Sequence, residues 1–298
     1  MRFPIDLLAA LAMAIACLIL LITHRFAGAP NRYRRVMQQG GTFFLDLNLM
    51  HAGYWMLQPL VRGCSRHGIS ATVVTWLSLL PALLAAVAAA TGHWGFASWG
   101  LLAAALMDVM DGAVARAAGH SSPAGAVLDS VLDRYAEFLF FAGTFVFYRD
   151  NLAAQFIVMA ALFGSFLVTY STAKAEALGI TPPRGSMKRS DRLALMVVGT
   201  GFTPFSQFWF EAPGGRNAWP ILVALGLIAV LANYSAIRRF VAIARGATER
   251  ASTAEAAPVG VNGGSAVAVA VRSAPAAPDE LGEPVIEGAP GKPAHRAG

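Results

Sequence analysis

Seven strongly apolar segments constrain the fold of this chain more than any other feature of its sequence. Each is about 20 residues long, which is the length of helix that crosses the hydrocarbon core of a bilayer. The segments cover residues 5–22, 72–90, 96–116, 125–148, 152–172, 193–209 and 219–236. Of the 298 residues, 56% are hydrophobic and only 13% are charged. Because lipid offers the backbone no hydrogen-bond partners, we expect an all-α integral membrane protein.

The basic residues give the chain a net charge of +6, which raises the question of a nucleic-acid partner. They cluster beside the apolar segments, however, and positive charge at such positions indicates the cytoplasmic side of a membrane. The clusters are Arg25 with Arg32, Arg34 and Arg35; Arg62 with Arg66; Arg184 with Lys188, Arg189 and Arg192; and Arg238 with Arg239 and Arg245. Seven spans with the N-terminus outside place all of these clusters inside. We therefore expect a protein of the cell (inner) membrane that binds no nucleic acid.

The first apolar segment has two interpretations. The sequence Ala27-Gly28-Ala29 resembles the small-residue cleavage site of a secretory signal peptide. A signal peptide carries its positive charge before the apolar run, whereas here the charge follows it. We favour a retained transmembrane helix, which makes residues 1–28 an N-terminal membrane segment.

Two segments outside the apolar core differ from it in character. Within the cytoplasmic segment 29–71, apolar residues recur at helical spacing over residues 43–61, which predicts an amphipathic helix at the membrane interface. An ordinary loop with scattered apolar residues is the alternative. Residues 246–298 are rich in Ala, Pro, Gly and Val and lack aromatic side chains, so we expect a disordered cytoplasmic tail there.

An acidic motif interrupts the apolar sequence between residues 108 and 133. It reads D-x-x-D-G-x-x-A-R, then eight residues, then G-x-x-x-D-x-x-x-D. Its members are Asp108, Asp111, Gly112, Ala115, Arg116, Gly125, Asp129 and Asp133. Helical spacing brings Asp108 and Asp111 close together on one helix and places Asp129 and Asp133 on one side of the next. Two antiparallel helices joined by the short turn between them would direct four carboxylates at one spot.

Four carboxylates at membrane depth need a compensating charge. A single Asp at the bilayer centre costs about 2.5–3.5 kcal/mol on insertion scales. A bound divalent cation would remove most of this cost, and Mg²⁺ in particular pairs carboxylates with substrate phosphates. Arg116 offers a positive charge suited to phosphate oxygens, while Gly112 and Gly125 leave space for a ligand or a neighbouring backbone. The motif therefore indicates a site for metal and phosphate.

The eight motif positions match, without a gap or substitution, the signature of the CDP-alcohol phosphatidyltransferase family, and the resemblance covers roughly residues 60–245. It implies a six-helix transmembrane core in a membrane domain of residues 72–245, to which the N-terminal helix is an addition. It also implies a reaction of phospholipid biosynthesis. In this reaction a phosphatidyl group passes from CDP-diacylglycerol, which enters laterally from the lipid, to a small alcohol, and CMP is released. Members of the family are commonly homodimers.

The same resemblance assigns roles to the motif residues. It implies Asp108, Asp111 and Asp129 as ligands of Mg²⁺ or Mn²⁺, and two ions are expected. Asp133 is implied as the base that deprotonates the acceptor, and an additional role as a metal ligand stays open. The implied CDP-binding residues are Asp108, Asp111, Gly112, Ala115, Arg116 and Gly125.

Basic residues beyond the motif bear on the acceptor. Residues 170–179 resemble a family segment in which Lys174 is retained and Thr172 replaces an Arg that relatives often have. Lys174, Arg189 and Arg192 are our candidates for binding the acceptor. A cationic site favours glycerol 3-phosphate or an inositol phosphate over serine, choline or free inositol. The alternative is that this charge sets the topology and attracts anionic lipid.

Two other classes of membrane protein also place acids inside a helix bundle. A transporter usually holds them near the midplane in broken helices, and it offers no reason for the eight motif positions. An intramembrane prenyltransferase holds a diphosphate with two separated Asp-rich clusters, whereas all four acids here lie in one hairpin. CMP release would distinguish the CDP-alcohol enzyme from both.

Overall fold

The protein is helical throughout the part of the chain that the structure describes. The computed structural model describes residues 2–27, 33, 36–37, 47–119, 122–181, 187–210 and 218–256. Within these ranges the helices are α1 (Arg2–Phe26), α2 (Leu47–Arg66), α3 (Ala71–Thr91), α4 (Trp94–Ala117), α5 (Pro123–Phe147), α6 (Leu152–Ala177), α7 (Arg189–Phe210) and α8 (Trp219–Ala256). The prediction of an all-α protein is confirmed.

Six of the described helices, α1, α3, α4, α6, α7 and α8, are long and apolar enough to cross a membrane. Helix α5 has 25 residues, a length of about 37 Å at 1.5 Å per residue, but its charged side chains lower its apolar character. Those side chains belong to Asp129, Asp133, Arg134 and Glu137. Helix α5 packs against α3 and α6 within the same bundle. Helices α3 to α8 therefore form the expected six-helix core, and α1 is the expected additional helix.

The six core helices close into a ring in which each helix packs against two neighbours, in the order α3, α4, α7, α8, α6, α5 and back to α3. Two glycines allow α3 to approach its neighbours closely. A Cβ atom at Gly143 of α5 would overlap the backbone of Ala86, and one at Gly100 of α4 would lie 2.8 Å from the Cβ of Ala85. Small residues at such crossings are the usual means by which membrane helices come close. This close packing holds α4 and α5, which carry the acidic motif, against the same helix.

Helices α1 and α2 lie outside the ring and pack against α4, and α1 also contacts α7. Near the N-terminus of α4, the carboxylate Oδ2 of Asp6 lies 2.9 Å from His93 Nδ1, and the indole of Trp99 donates to the carbonyl of Ala9 at 2.9 Å. Asp6 is buried by this contact. The N-terminal helix is thus part of the folded bundle.

Serine residues cap the N-termini of α3 and α5, two of the helices at the motif. The Ser70 hydroxyl accepts from the backbone N–H of Val73 at the start of α3, and that of Ser122 accepts from Gly125 at 3.0 Å at the start of α5. Pro123 follows Ser122 at the first position of α5, where its missing N–H has no consequence. These caps set the point at which α5 begins and hence the positions of Asp129 and Asp133.

Two predicted boundaries differ from the structure. The amphipathic helix expected over residues 43–61 is present as α2, which continues to Arg66, while residues 43–46 lie outside the described part. A disordered tail was expected from residue 246, but α8 continues to Ala256. The prediction of disorder from 246 is therefore wrong for residues 246–256. Gly246 and Arg250 of this stretch contact the residues that follow α6, and composition does not reveal such contacts. Residues 257–298 lie outside the described part, as does Arg184 of the basic loop.

Candidate active site

The α4–α5 hairpin brings three motif carboxylates together. One oxygen each from Asp108, Asp129 and Asp133 lies within 4.8 Å of the others, and all three residues are partly buried. The fourth carboxylate, Asp111, is buried beside Thr75 of α3 and close to Asp108 and Asp129. The structure thus brings three of the four predicted acids to one spot, while Asp111 lies next to this group and outside the set of oxygens within 4.8 Å.

The donor set fits a hard divalent cation. Mg²⁺ and Mn²⁺ prefer carboxylate oxygens, and three such oxygens converge here within the span that one ion or a pair of ions would bridge. In addition, Oδ2 of Asp111 is buried without a hydrogen-bond partner among the described residues. A buried carboxylate oxygen without a partner is unfavourable, and coordination would satisfy it. The residues present thus suit the metal that the sequence predicts.

Arg189, the first residue of α7, reaches into the carboxylate cluster. Its Nη1 lies 3.0 Å from both carboxylate oxygens of Asp108, and its Nη2 lies 2.6 Å from Oδ1 of Asp133. The side chain of Arg189 remains 39% exposed, so the cluster is open to solutes from this side. A guanidinium group between two carboxylates balances part of their charge and also offers N–H donors to an anion.

A second arginine forms a buried ion pair close to the first. Arg192 Nε lies 3.0 Å from Oε1 of Glu137, and its Nη2 lies 3.4 Å from Oε2. Their side chains are only 1% and 9% exposed, respectively. Arg192 therefore faces the bundle interior and is engaged by Glu137, rather than open to a ligand.

The remaining acceptor candidate and a further cation lie on α6 and α8. Lys174 is exposed in the last turn of α6. Arg239 of α8 donates through Nη1 to the Thr172 hydroxyl at 2.8 Å and lies close to Arg192. Its buried Nε has no hydrogen-bond partner among the described residues. From the sequence, Arg239 was interpreted only as topological charge. The Thr at position 172, where relatives often have an Arg, could have indicated that another arginine occupies this place.

A cavity of about 40 Å³ adjoins the cluster, with room for a few water molecules. Its polar lining includes Asp108, Asp133 and Arg189, and its apolar lining includes Leu101 and Phe140. Water can therefore lie beside the carboxylates, while the inner wall is hydrocarbon.

The other motif residues lie toward the turn of the hairpin. A Cβ atom at Gly112 would lie 3.2 Å from Nη1 of Arg116, so the glycine lets this side chain fold back along α4. Ala115 is half-buried on the same helix, and Gly125 lies in the first turn of α5, where a Cβ would meet the Ser122 hydroxyl at 3.1 Å. Together these residues combine little side-chain bulk with one exposed arginine near the turn of the hairpin.

Comparisons with known proteins agree on one protein family. The sequence profile of the CDP-alcohol phosphatidyltransferase family matches residues 69–231. The phosphatidylinositol phosphate synthase of Mycobacteroides abscessus is 31% identical over 180 residues, which cover 59% of this chain and 73% of that protein. The enzyme of the same name from Streptomyces avermitilis is 30% identical over 201 residues, which cover 65% of this chain and 80% of that protein.

Solved structures agree with these sequence matches. The crystal structure of Mycobacterium tuberculosis phosphatidylinositol phosphate synthase with CDP-DAG bound aligns with a TM-score of 0.54 at 27% identity, over 62% of this chain and 92% of that chain. The structure of the same enzyme in complex with manganese and citrate also aligns with a TM-score of 0.54, over 87% of that chain.

Proposed function

We propose that this chain, which belongs to the CDP-alcohol phosphatidyltransferase family, transfers a phosphatidyl group from CDP-diacylglycerol to inositol phosphate with release of CMP. It is a metal-dependent membrane enzyme of that class. The observation that carries the choice of a phosphorylated acceptor is the position of Arg189, which places a partly exposed guanidinium against Asp108 and Asp133. A phosphorylated alcohol bound there would hold its hydroxyl close to the carboxylates. The names of the two bacterial relatives described above also support inositol phosphate rather than glycerol 3-phosphate.

Asp108, Asp111, Asp129 and Asp133 would hold the divalent ions in this proposal. Their oxygens are the only ligands it requires from the protein, and Asp111 contributes the buried oxygen that lacks a partner among the described residues. Bound Mg²⁺ or Mn²⁺ would supply charge neutralisation of the pyrophosphate and of the departing CMP.

Asp133 is the proposed general base. It lies beside Arg189, so an acceptor whose phosphate binds this arginine would present a hydroxyl within reach of the carboxylate. Asp133 takes the proton of that hydroxyl, whose oxygen then bonds to the phosphorus of the phosphatidyl group. The bond between this phosphorus and the bridging oxygen breaks, and the electron pair leaves with CMP.

The acceptor's phosphate would bind Arg189 first, with Lys174 as a second cation at the end of α6. Arg192 enters this proposal as a support for Arg189 and not as a ligand, because its guanidinium is bonded to Glu137 and is 1% exposed. The nucleotide would lie on the other side of the cluster, along Gly112, Ala115 and Gly125, where Arg116 offers charge to a phosphate.

CMP release tests this proposal. Purified protein in detergent would receive Mg²⁺ or Mn²⁺, labelled CDP-diacylglycerol and one acceptor at a time: inositol phosphate, glycerol 3-phosphate, free inositol, serine or choline. We expect CMP release that depends on inositol phosphate, and its loss in Asp129→Asn and Asp133→Asn. Release with glycerol 3-phosphate alone would keep the enzyme class and replace the acceptor. CMP release that persists in both variants would overturn the assignment of the site.

We further propose a homodimer in the cell (inner) membrane, with the N-terminus outside and the active site facing the cytoplasm. The distribution of Lys and Arg supports this orientation. In a variant without Cys17 and Cys64, a thiol introduced at exposed Asp150 should react with an impermeant maleimide in intact cells, and one at exposed His67 only after lysis. The reverse pattern would invert the topology. The mass of the protein in detergent, measured by light scattering, tests the dimer.

A further inference from the structure

Residues 246–256 of α8, which we call the α8 extension, continue beyond the segment that the family profile matches. The guanidinium of Arg250 donates from Nη1 to the carbonyl of Leu178 at 2.6 Å and from Nη2 to that of Gly179 at 2.7 Å. Gly246, one turn earlier, lies against Ile180, to which a Cβ atom would come within 3.4 Å. The α8 extension is therefore attached to the chain segment that follows α6.

The contact matches the chemistry of a helix C-terminus. Helix α6 ends at Ala177, and Gly179 takes a left-handed conformation with φ of 62°, which turns the chain away. Carbonyls at such an end have no partners further along the helix and carry partial negative charge. The planar fork of an arginine can bind two of them at once, which a single point charge does less well.

The segment bound by Arg250 leads directly to the proposed acceptor site. Lys174 lies one turn before this segment on α6. Arg189, which begins α7, lies eleven residues after Leu178 in the chain. The other end of the connection is also bonded, because the backbone N–H of Lys188 donates to the carboxylate of Asp191 at 3.0 Å. Both described ends of the α6–α7 connection are thus anchored, one by α7 itself and one by α8.

We propose that Arg250 is a positioning residue, which fixes the end of α6 and thereby the placement of Lys174 and Arg189 for a phosphorylated acceptor. It touches no reacting group, and it acts only through the connection that it anchors. The proposal rests on the proposed function for its effect on the acceptor, while its effect on the α6–α7 connection is independent of any activity.

The test compares Arg250→Gln with Arg245→Gln, which removes the same charge from an exposed position of the same helix. We expect Arg250→Gln to raise the acceptor KM about three- to tenfold, because loss of the two hydrogen bonds lowers the population of the arrangement that binds the acceptor, with kcat and the KM for CDP-diacylglycerol little changed. Arg250→Lys should recover part of the loss, and Arg245→Gln should resemble the wild type. Removal of residues 257–298 should leave the acceptor KM unchanged, whereas removal of residues 247–298 should raise it.

Hydrogen exchange gives a readout that needs no substrate. Peptides covering residues 174–181 should exchange faster in Arg250→Gln than in the wild type and in Arg245→Gln. Unchanged exchange and an unchanged acceptor KM would overturn the positioning role. Faster exchange in a protein whose wild type shows no acceptor-dependent CMP release would instead retain the anchor and reject the proposed function.

Discussion

Two arginines of α7 reach across the ring to acids of α5, and their surroundings differ sharply. Arg189 contacts Asp133, together with Asp108 of α4, and its side chain is 39% exposed. Arg192, three residues later, contacts Glu137, and its side chain is 1% exposed. We call the first contact the accessible cluster and the second the buried pair. Both contacts join a guanidinium group of α7 to a carboxylate of α5.

The difference in exposure separates their roles. An ion pair in contact with water is weak and exchangeable, because water and ions compete for both partners. A buried pair cannot exchange, since loss of one partner leaves an uncompensated charge in a medium of low dielectric constant. The accessible cluster is therefore suited to binding ligands, and the buried pair to holding α5 and α7 in register beneath it.

The largest expected effect concerns activity at the accessible cluster. Asp133→Asn should lower the rate of CMP release by about 10²- to 10⁴-fold, the range associated with loss of a general base. The fold should remain, because the asparagine can still accept a hydrogen bond from Arg189. Measured rates together with thermal melting in detergent would check both statements. A large loss of melting temperature would contradict the separation of roles.

The buried pair should show the opposite pattern. Glu137→Gln leaves Arg192 without its counter-charge and should destabilise the protein by about 3–5 kcal/mol, seen as a lower melting temperature. The double variant Glu137→Leu with Arg192→Met removes both charges and should recover most of this loss. If the double variant melts as low as the single one, the pair contributes more than charge compensation.

Metal binding should stabilise the folded state only through the carboxylates of the accessible cluster and the neighbouring Asp129, whose oxygen lies within 4.8 Å of theirs. Mg²⁺ or Mn²⁺ at about 100 times its dissociation constant should stabilise the folded state by about 2.7 kcal/mol, and a chelator should reverse the effect. Asp129→Asn should reduce the shift in melting temperature, whereas the double variant of the buried pair should retain it. An equal shift in Asp129→Asn would place the ion elsewhere.

The smallest expected effect concerns competition between Arg189 and the metal for the same carboxylates. Arg189→Gln removes a positive charge next to Asp108 and Asp133, so the ion should bind about three- to tenfold more tightly, as expected for a partly exposed charge. Isothermal titration with Mn²⁺ would measure the affinity without any substrate. The same variant should bind inositol phosphate more weakly, and weaker binding of both ligands would reject the competition.

Much of the site could be predicted because its parts are close in sequence. Asp129 and Asp133 are four residues apart, and helical geometry alone places them on one side of α5. The partners of the arginines could not be predicted in this way. Arg189 meets Asp133 across 56 residues and Asp108 across 81, and Arg192 meets Glu137 across 55. Sequence analysis accordingly assigned both arginines to the acceptor, although only one of them is accessible.

The sequence by itself determined that this is an all-helical membrane protein with four carboxylates on one hairpin, because insertion into lipid and helical periodicity depend on neighbouring residues. The enzyme class followed from the resemblance of the motif to a known family. Tertiary structure alone decided which arginine faces the open cluster, which one is buried against Glu137, and how far α8 continues. Each of these depends on contacts between helices that are distant in the chain. The physical reason is that burial is a property of packed helices, and burial decides whether a charge is available to a ligand or committed to the fold.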